Sequence, residues 1–162
     1  MSSTFPASRV RDVADGAILV EYPEADEEEA NRAAVALAAF LPERAGEGFL
    51  DAIPGAQTLF CEFDPLKISH EALARAVETA RPDPAAEGRQ REHRIAVLYG
   101  GESGADISAL AVAAGMSEGA LVSLHASARY RVVFLGFAPG FAYMTGLPPK
   151  LRFPRRSTPR TR

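Results

Sequence analysis

The stretch that most restricts what this 162-residue chain can fold into runs from Tyr130 to Thr161, YRVVFLGFAPGFAYMTGLPPKLRFPRRSTPRT. It opens with β-branched and aromatic residues, Tyr130 to Leu135, the composition of a buried strand. Gly136, Pro139, Gly140 and Gly146 then break that strand, because glycine admits φ > 0 and close backbone approach while proline fixes φ and removes a donor. Phe137, Phe141 and Tyr143 fall inside this punctuated loop, where an apolar ring requires cover from the domain's own core or from a ligand or partner surface. Lys150, Arg152, Arg155, Arg156, Arg160 and Arg162 follow, and no acidic residue occurs after Glu118. A strand end, a loop carrying aromatic rings and a run of arginines together read as a site for an anionic group, since guanidinium forks match carboxylate and phosphate oxygens bidentately. The same residues also suit a plainer role, with the loop plugging a barrel end and the arginines solvating a terminus.

The formal net charge of −3 conceals an uneven distribution. Residues 1 to 128 hold all 21 acids and 10 bases, whereas residues 129 to 162 hold 8 bases and no acid. The basic end is therefore local. Nucleic-acid binding is excluded as an explanation, because the rest of the surface repels phosphate and no module combining stacking rings with bases is visible. The single cysteine, Cys61, excludes an intramolecular disulfide and a cysteine-rich metal site, and a reducing cytoplasm fits such a chain. No apolar run reaches the roughly 20 residues needed to span a bilayer, and the N-terminal MSSTFPASRVRDVADG lacks an apolar signal region. No membrane role is expected.

Two short strands, Arg9 to Val13 and Ala17 to Tyr22, flank an Asp15-Gly16 turn, a strong hairpin signal. Asp26 caps a helix whose first turn holds Glu27, Glu28 and Glu29, and Ala30 to Leu41 carries its packing residues until Pro42 ends it. Glu47 to Ile53 and Gln57 to Phe63 are two further strands around Pro54-Gly55. Ser69 begins a second helix with Leu73, Ala76, Val77 and Ala80 on one face. The expected order is ββαββα, a two-layer α+β domain over residues 1–80. The glutamates serve the helix dipole, His70 and Cys61 are structural, and none of them is a metal ligand.

Residues 81–91, RPDPAAEGRQR, read as a linker, and 92–162 as a second domain. His93 to Tyr99 reads as a strand and Gly100 to Gly104 as a glycine-rich loop, with Asp106 capping a helix over Ile107 to Ala114. A glycine loop opening onto a helix can hold an anion through its amides, but no Walker pattern is present. Gly115 ends that helix, and Ser117 caps another that runs through Leu124. His125 follows it, either as a general acid or base or as a core histidine bonded to a carbonyl.

The pattern Gly136-Phe137-Ala138-Pro139-Gly140-Phe141-Ala142-Tyr143, followed by PRRSTPR at Pro154 to Arg160, resembles the signature of the family of 5-oxoprolinase B subunits, also called allophanate hydrolase subunit 1 or KipI-like. Tyr99 to Asp106 and the pair His125 and Tyr130 resemble the same family. The resemblance implies a small N-terminal α+β domain joined to a C-terminal cyclophilin-like β-barrel. Family members continue past the arginines through further strands, so the barrel here reads as incomplete. It further implies a subunit of an ATP-dependent enzyme that opens 5-oxo-L-proline to L-glutamate, inactive alone. ATP, with Mg2+, would be shared with allophanate hydrolase subunit 2-like and LamB/YcsF-like partners in the cytoplasm. KipI-like inhibition of a sensor histidine kinase, or a role in a biotin-dependent urea carboxylase and allophanate hydrolase system, remain alternatives. The candidate substrate- or anion-binding residues are Gly136, Phe137, Pro139, Gly140, Phe141, Tyr143, Arg155, Arg156, Arg160 and His125. No catalytic residue is assigned.

Overall fold

A computed structural model describes residues 8–82 and 91–158, and the chain divides into two compact units, residues 1–91 and 92–162. The architecture is α+β with antiparallel sheets. In the first unit the strands are β1 (Arg9–Ala14), β2 (Ala17–Glu21), β3 (Phe49–Pro54) and β4 (Thr58–Phe63), with helices α1 (Glu27–Phe40) and α2 (His70–Thr79). The four strands form one sheet in the order β1-β2-β4-β3, every pair antiparallel. Ile18 pairs with Cys61 and Val20 with Leu59. Strand alternation therefore puts these four side chains on one face. That face is buried against Ala30, Ala33, Ala34 and Leu37 of α1 and Leu73 and Val77 of α2.

Short-range chemistry sets the ends of these elements. The Asp26 carboxylate accepts from the Glu29 amide at 2.8 Å and the Ser69 hydroxyl from the Ala72 amide at 3.2 Å, each satisfying a donor that the helix leaves open. α1 ends at Phe40, ahead of Pro42, as expected. The chain tightens into a 3-10 turn over Leu41–Glu43, where proline's missing N–H costs nothing. A Cβ at Gly16 would stand 2.6 Å from the Phe63 carbonyl oxygen, so the β1–β2 turn requires glycine. His70, half-buried, is structural: its Nε2 bonds the Ala14 carbonyl at 2.9 Å and its ring meets Phe63 edge-on. Asn31, buried in α1, donates from Nδ2 to the Gly55 carbonyl at 2.8 Å and so pins the β3–β4 turn to the helix.

The second unit contains a 3-10 turn (Gly101–Gly104), helices α3 (Ile107–Ala114) and α4 (Glu118–Ser127), strands β5 (Arg131–Leu135) and β6 (Ala142–Thr145), and a 3-10 turn at Pro149–Leu151. Gly115 ends α3 in the left-handed region at φ +65°, and the Ser117 hydroxyl caps α4. The α3–α4 pair buries Ala111 and Leu121 against Leu151, with Leu147 and Phe153 beside them. β5 and β6 form an antiparallel hairpin with a bulge between Val132 and Phe134.

Two expectations do not hold in this unit. His93 to Tyr99 is not a strand; no strand pairs with it among the described residues, and a strand exists only through its neighbour's hydrogen bonds. Ile95 and Leu98 accordingly stand 78% and 79% exposed. The second helix does not end at Leu124. It runs to Ser127 and places His125 in its last turn.

Two outcomes test the packing of the first unit. Asn31→Ala removes the bond to Gly55 and is expected to cost about 1–3 kcal/mol in urea unfolding, the penalty for leaving a partly buried carbonyl unpaired; an unchanged midpoint would contradict it. Burial first, and the Asp51 charge second, push the Cys61 thiol from its ordinary 9.0 up to about 12. The folded chain thus holds this proton more tightly than the unfolded chain, so the associated stability is present below pH 9 and is lost as pH climbs towards 12. At about pH 8 Cys61 is expected to resist a disulfide reagent until the chain is denatured. Rapid labelling of the folded chain would contradict it.

Candidate functional site

The turn between β5 and β6 is a compact loop closed by its own backbone. The Gly136 amide donates to the Phe141 carbonyl at 3.0 Å, the Ala138 amide to Gly136 at 2.8 Å and the Phe141 amide to Ala138 at 3.0 Å. The Ala138 to Gly136 bond spans three residues with Phe137 at its centre, and Phe137 has φ +67°. That is a γ-turn of the positive-φ kind, a rare and strained conformation. A bulky L-residue in this region crowds its own Cβ. Gly140, at φ +76°, supplies the second left-handed position at no such cost. The loop's amides are therefore partly spent: Gly136 and Ala138 bond within the loop, and Pro139 has no N–H. An anion approaching the loop would meet the Phe137 and Gly140 amides, which make no hydrogen bond among the described residues.

Four rings run down the hairpin from this loop. Phe134 and Tyr143, paired across the strands, stack with centroids 4.4 Å apart and planes 14° from parallel. Tyr143 meets Phe141 edge-on at 5.3 Å, and Phe141 meets Phe137 edge-on at 5.6 Å. Exposure rises towards the tip, from 40% at Tyr143 through 48% at Phe141 to 91% at Phe137. The loop thus displays its aromatic rings where the chain's own core does not cover them.

A second cluster lies at the foot of β5. The Tyr99 hydroxyl and His125 Nδ1 are 2.6 Å apart, and the Tyr130 hydroxyl donates to the His125 carbonyl at 3.1 Å. Both tyrosine rings pack on the imidazole, at 5.7 Å and 5.4 Å. Desolvation, with a smaller contribution from Tyr99, holds the Tyr130 hydroxyl above the ordinary tyrosine range. With Nδ1 engaged by Tyr99, Nε2 is the nitrogen that His125 offers to a ligand or proton. No ring contact among the described residues joins this cluster to the ladder on the hairpin.

Of the arginines, Arg156 is placed against Asp106, Nη1 to Oδ1 at 3.0 Å, with both side chains about half exposed. Asp106 consequently does not cap α3, contrary to the sequence expectation, because its carboxylate is turned to the guanidinium. Arg155 is exposed and makes no ion pair among the described residues. Arg160 lies outside the described residues. Tyr99 and Phe134 belong to these clusters although sequence reasoning did not select them. The signal for Phe134 was its place two residues before Gly136, and for Tyr99 its place at the mouth of the glycine-rich loop.

The hairpin sheet, its loop and the arginine segment define the class of chain. Residues 8–162 match the family model described as carboxyltransferase domain, subdomain C and D, and the chain belongs to that family. Two relatives named as the B subunit of 5-oxoprolinase, from Escherichia coli O157:H7 and Bacillus subtilis (strain 168), are 38% identical over 112 residues and 31% identical over 164 residues. These matches cover 68% and 94% of this chain, and 51% and 68% of the relatives. The chain thus spans about half the length of the first of them. The crystal structure of TTHA0988 superposes with a TM-score of 0.72 at 36% identity, covering 94% of this chain and 28% of that one.

The two arginines make contrasting predictions. Arg155→Ala is expected to weaken binding of an anionic ligand by about 1.5–3 kcal/mol, with lysine failing to restore it fully. Arg156→Ala is expected to change chain stability by less than about 1 kcal/mol, as for other exposed ion pairs. Equal affinities for such an anion with arginine, lysine and alanine at position 155, measured calorimetrically, would remove the anion-site reading.

Proposed function

We propose that this chain is one subunit of an ATP-dependent 5-oxoprolinase, which opens 5-oxo-L-proline to L-glutamate together with allophanate hydrolase subunit 2-like and LamB/YcsF-like companions. The observation that carries the proposal is the match to a 5-oxoprolinase B subunit across 94% of the chain, and the displayed loop with its neighbouring bases fits it. In this reading the second unit is part of a cyclophilin-like barrel, with the β5–β6 hairpin as one of its walls, and the chain works in the cytoplasm.

The chemistry explains the parts. An unstrained five-membered lactam is a poor electrophile. Transfer of the γ-phosphoryl group of ATP to the amide oxygen releases ADP and leaves a phosphorylated imidate. Water then adds at that carbon, the C–N bond breaks as the nitrogen takes a proton to leave the glutamate amine and an acyl phosphate, and a second water hydrolyses the acyl phosphate to the carboxylate and free phosphate. Arg155 and Arg160 suit the substrate carboxylate or the transferring phosphoryl group, because each presents a planar fork of donors. Arg156 joins them only by exchanging its Asp106 partner for the ligand. The Phe137 and Gly140 amides suit developing negative charge at the loop. His125, oriented through Nδ1 by Tyr99, offers Nε2 for proton transfer. Mg2+ would accompany the nucleotide and be held mainly by its phosphates and the companion chains.

Reconstitution tests the proposal. Oxoproline-dependent ADP release is expected from the chain combined with both kinds of companion and not from the chain alone. Turnover by the isolated chain would overturn the division of labour, and an intact complex hydrolysing ATP without regard to oxoproline would overturn the substrate.

A further inference from the structure

We propose that Tyr99 holds His125 as the neutral tautomer protonated on Nε2, so that His125 works as an acid and gives that proton to the lactam nitrogen as the C–N bond breaks. The step rests on the oxoprolinase reading above. The tautomer rests on the geometry alone.

Three observations set the tautomer. The Tyr99 hydroxyl oxygen and His125 Nδ1 stand 2.6 Å apart. N–H donors keep about 2.7–3.2 Å from an oxygen, whereas O–H donors approach to about 2.5–3.0 Å, so the contact has the length of a phenol donating to a ring nitrogen. Acidity points the same way: a phenol gives up its proton far more readily than a neutral imidazole N–H, and an imidazole nitrogen accepts far better than a phenol oxygen. The Tyr99 hydroxyl also has no second hydrogen-bond partner among the described residues. A neutral imidazole that accepts at Nδ1 carries its proton on Nε2.

That donor is held in place and left open. The Tyr130 hydroxyl bonds the His125 carbonyl at 3.1 Å, and the Tyr99 and Tyr130 rings pack on the imidazole with planes 79° and 44° from its own. Nε2 makes no hydrogen bond among the described residues and is not one of their buried, unpaired atoms. A fixed N–H donor of this kind takes a hydrogen-bond acceptor. In the water adduct of the phosphorylated lactam, the ring nitrogen carries a lone pair and cannot leave as an anion, so it requires a proton.

The step balances. The C–N electron pair stays with the nitrogen, which takes the Nε2 proton, while the adduct hydroxyl loses its proton to solvent and becomes the carbonyl of the acyl phosphate. The Tyr99 proton crosses to Nδ1 in the same event, so no imidazolate forms. Water then reprotonates Nε2 as the Nδ1 proton returns to the Tyr99 oxygen. Tyr99 is a positioning residue, because it reaches the substrate only through His125.

Two measurements test the proposal. The first is long-range proton–nitrogen correlation of the full chain with nitrogen-labelled histidine, at a pH where the imidazole is neutral. His125 is told from His70 and His93 by the loss of its signals in His125→Gln. Nδ1 is expected at the shift of an unprotonated nitrogen and Nε2 at that of a protonated one, with Tyr99→Phe moving both towards an averaged position. A proton on Nδ1 in the wild-type chain overturns the proposal whatever the variants do. The second is rapid-quench turnover of the complex reconstituted with both companions. Tyr99→Phe and His125→Gln are expected to form ADP at the wild-type rate but glutamate about 100-fold more slowly, the lower end of what a positioned acid supplies. Equal slowing of ADP and glutamate, unchanged kcat, or a rise in KM alone places the pair outside C–N cleavage and overturns its role as the acid. A wild-type complex without oxoproline-dependent turnover overturns the cleavage step together with the function it rests on, and the nitrogen shifts still decide the tautomer.

Discussion

The second unit depends on one close backbone approach. Gly146 leaves β6 at φ +95°, directly against the main chain where β5 begins, and a Cβ there would overlap the Arg129 carbonyl oxygen. Only glycine permits that contact and that dihedral together. The consequence reaches in both directions along the chain. Forward, the turn sends Leu147 to Leu151 back onto the helices, where Leu151 is buried with Ala111 and Leu121. Backward, it fixes the segment around Arg129 and Tyr130, the residues that lead from α4 into β5, and the Tyr130 hydroxyl there grips the His125 carbonyl. Beyond Leu151 the chain continues to Arg156, which meets Asp106 at the start of α3.

From this closure follows the division of the candidate site into three parts with different physics. The His125 cluster is a partly buried hydrogen-bonded group, suited to handling a proton. The hairpin tip is apolar, strained and open. The arginine segment is charged and solvated, with one of its described members tied to a carboxylate. The core of the second unit is small: Ala111, Leu121 and Leu151 form its buried cluster, while Ile95, Leu98, Leu135 and Met144 stand exposed.

Much of the local structure was legible in the sequence because it rests on short-range chemistry. Asp26, Ser69 and Ser117 cap helices as their side chains dictate, Asp15-Gly16 turns a hairpin, and Gly115 terminates a helix. The failures came where partners distant in sequence decide. His93 to Tyr99 has the composition of a strand, but pairing makes a strand and composition does not supply the pair. Asp106 has the identity and position of a cap, yet a guanidinium 50 residues away competes for its carboxylate. The loop's glycines and rings announced an unusual turn. They did not reveal that a phenylalanine, next to a glycine freer to adopt it, would occupy the left-handed position. The role of His125 depends on Tyr99, 26 residues earlier, and no spacing rule foretells that contact.

Closure at Gly146 holds these parts in one arrangement, and amide chemical shifts of the Gly146→Ala variant are the direct probe of it. Shift changes or broadening are expected at Tyr99, His125 and Tyr130, around Leu151, and at Asp106 and Arg156, while Tyr22, Leu37 and Cys61 of the first unit keep their positions. Changes confined to the immediate neighbours of residue 146, with the His125 and Asp106 signals unmoved, would contradict it.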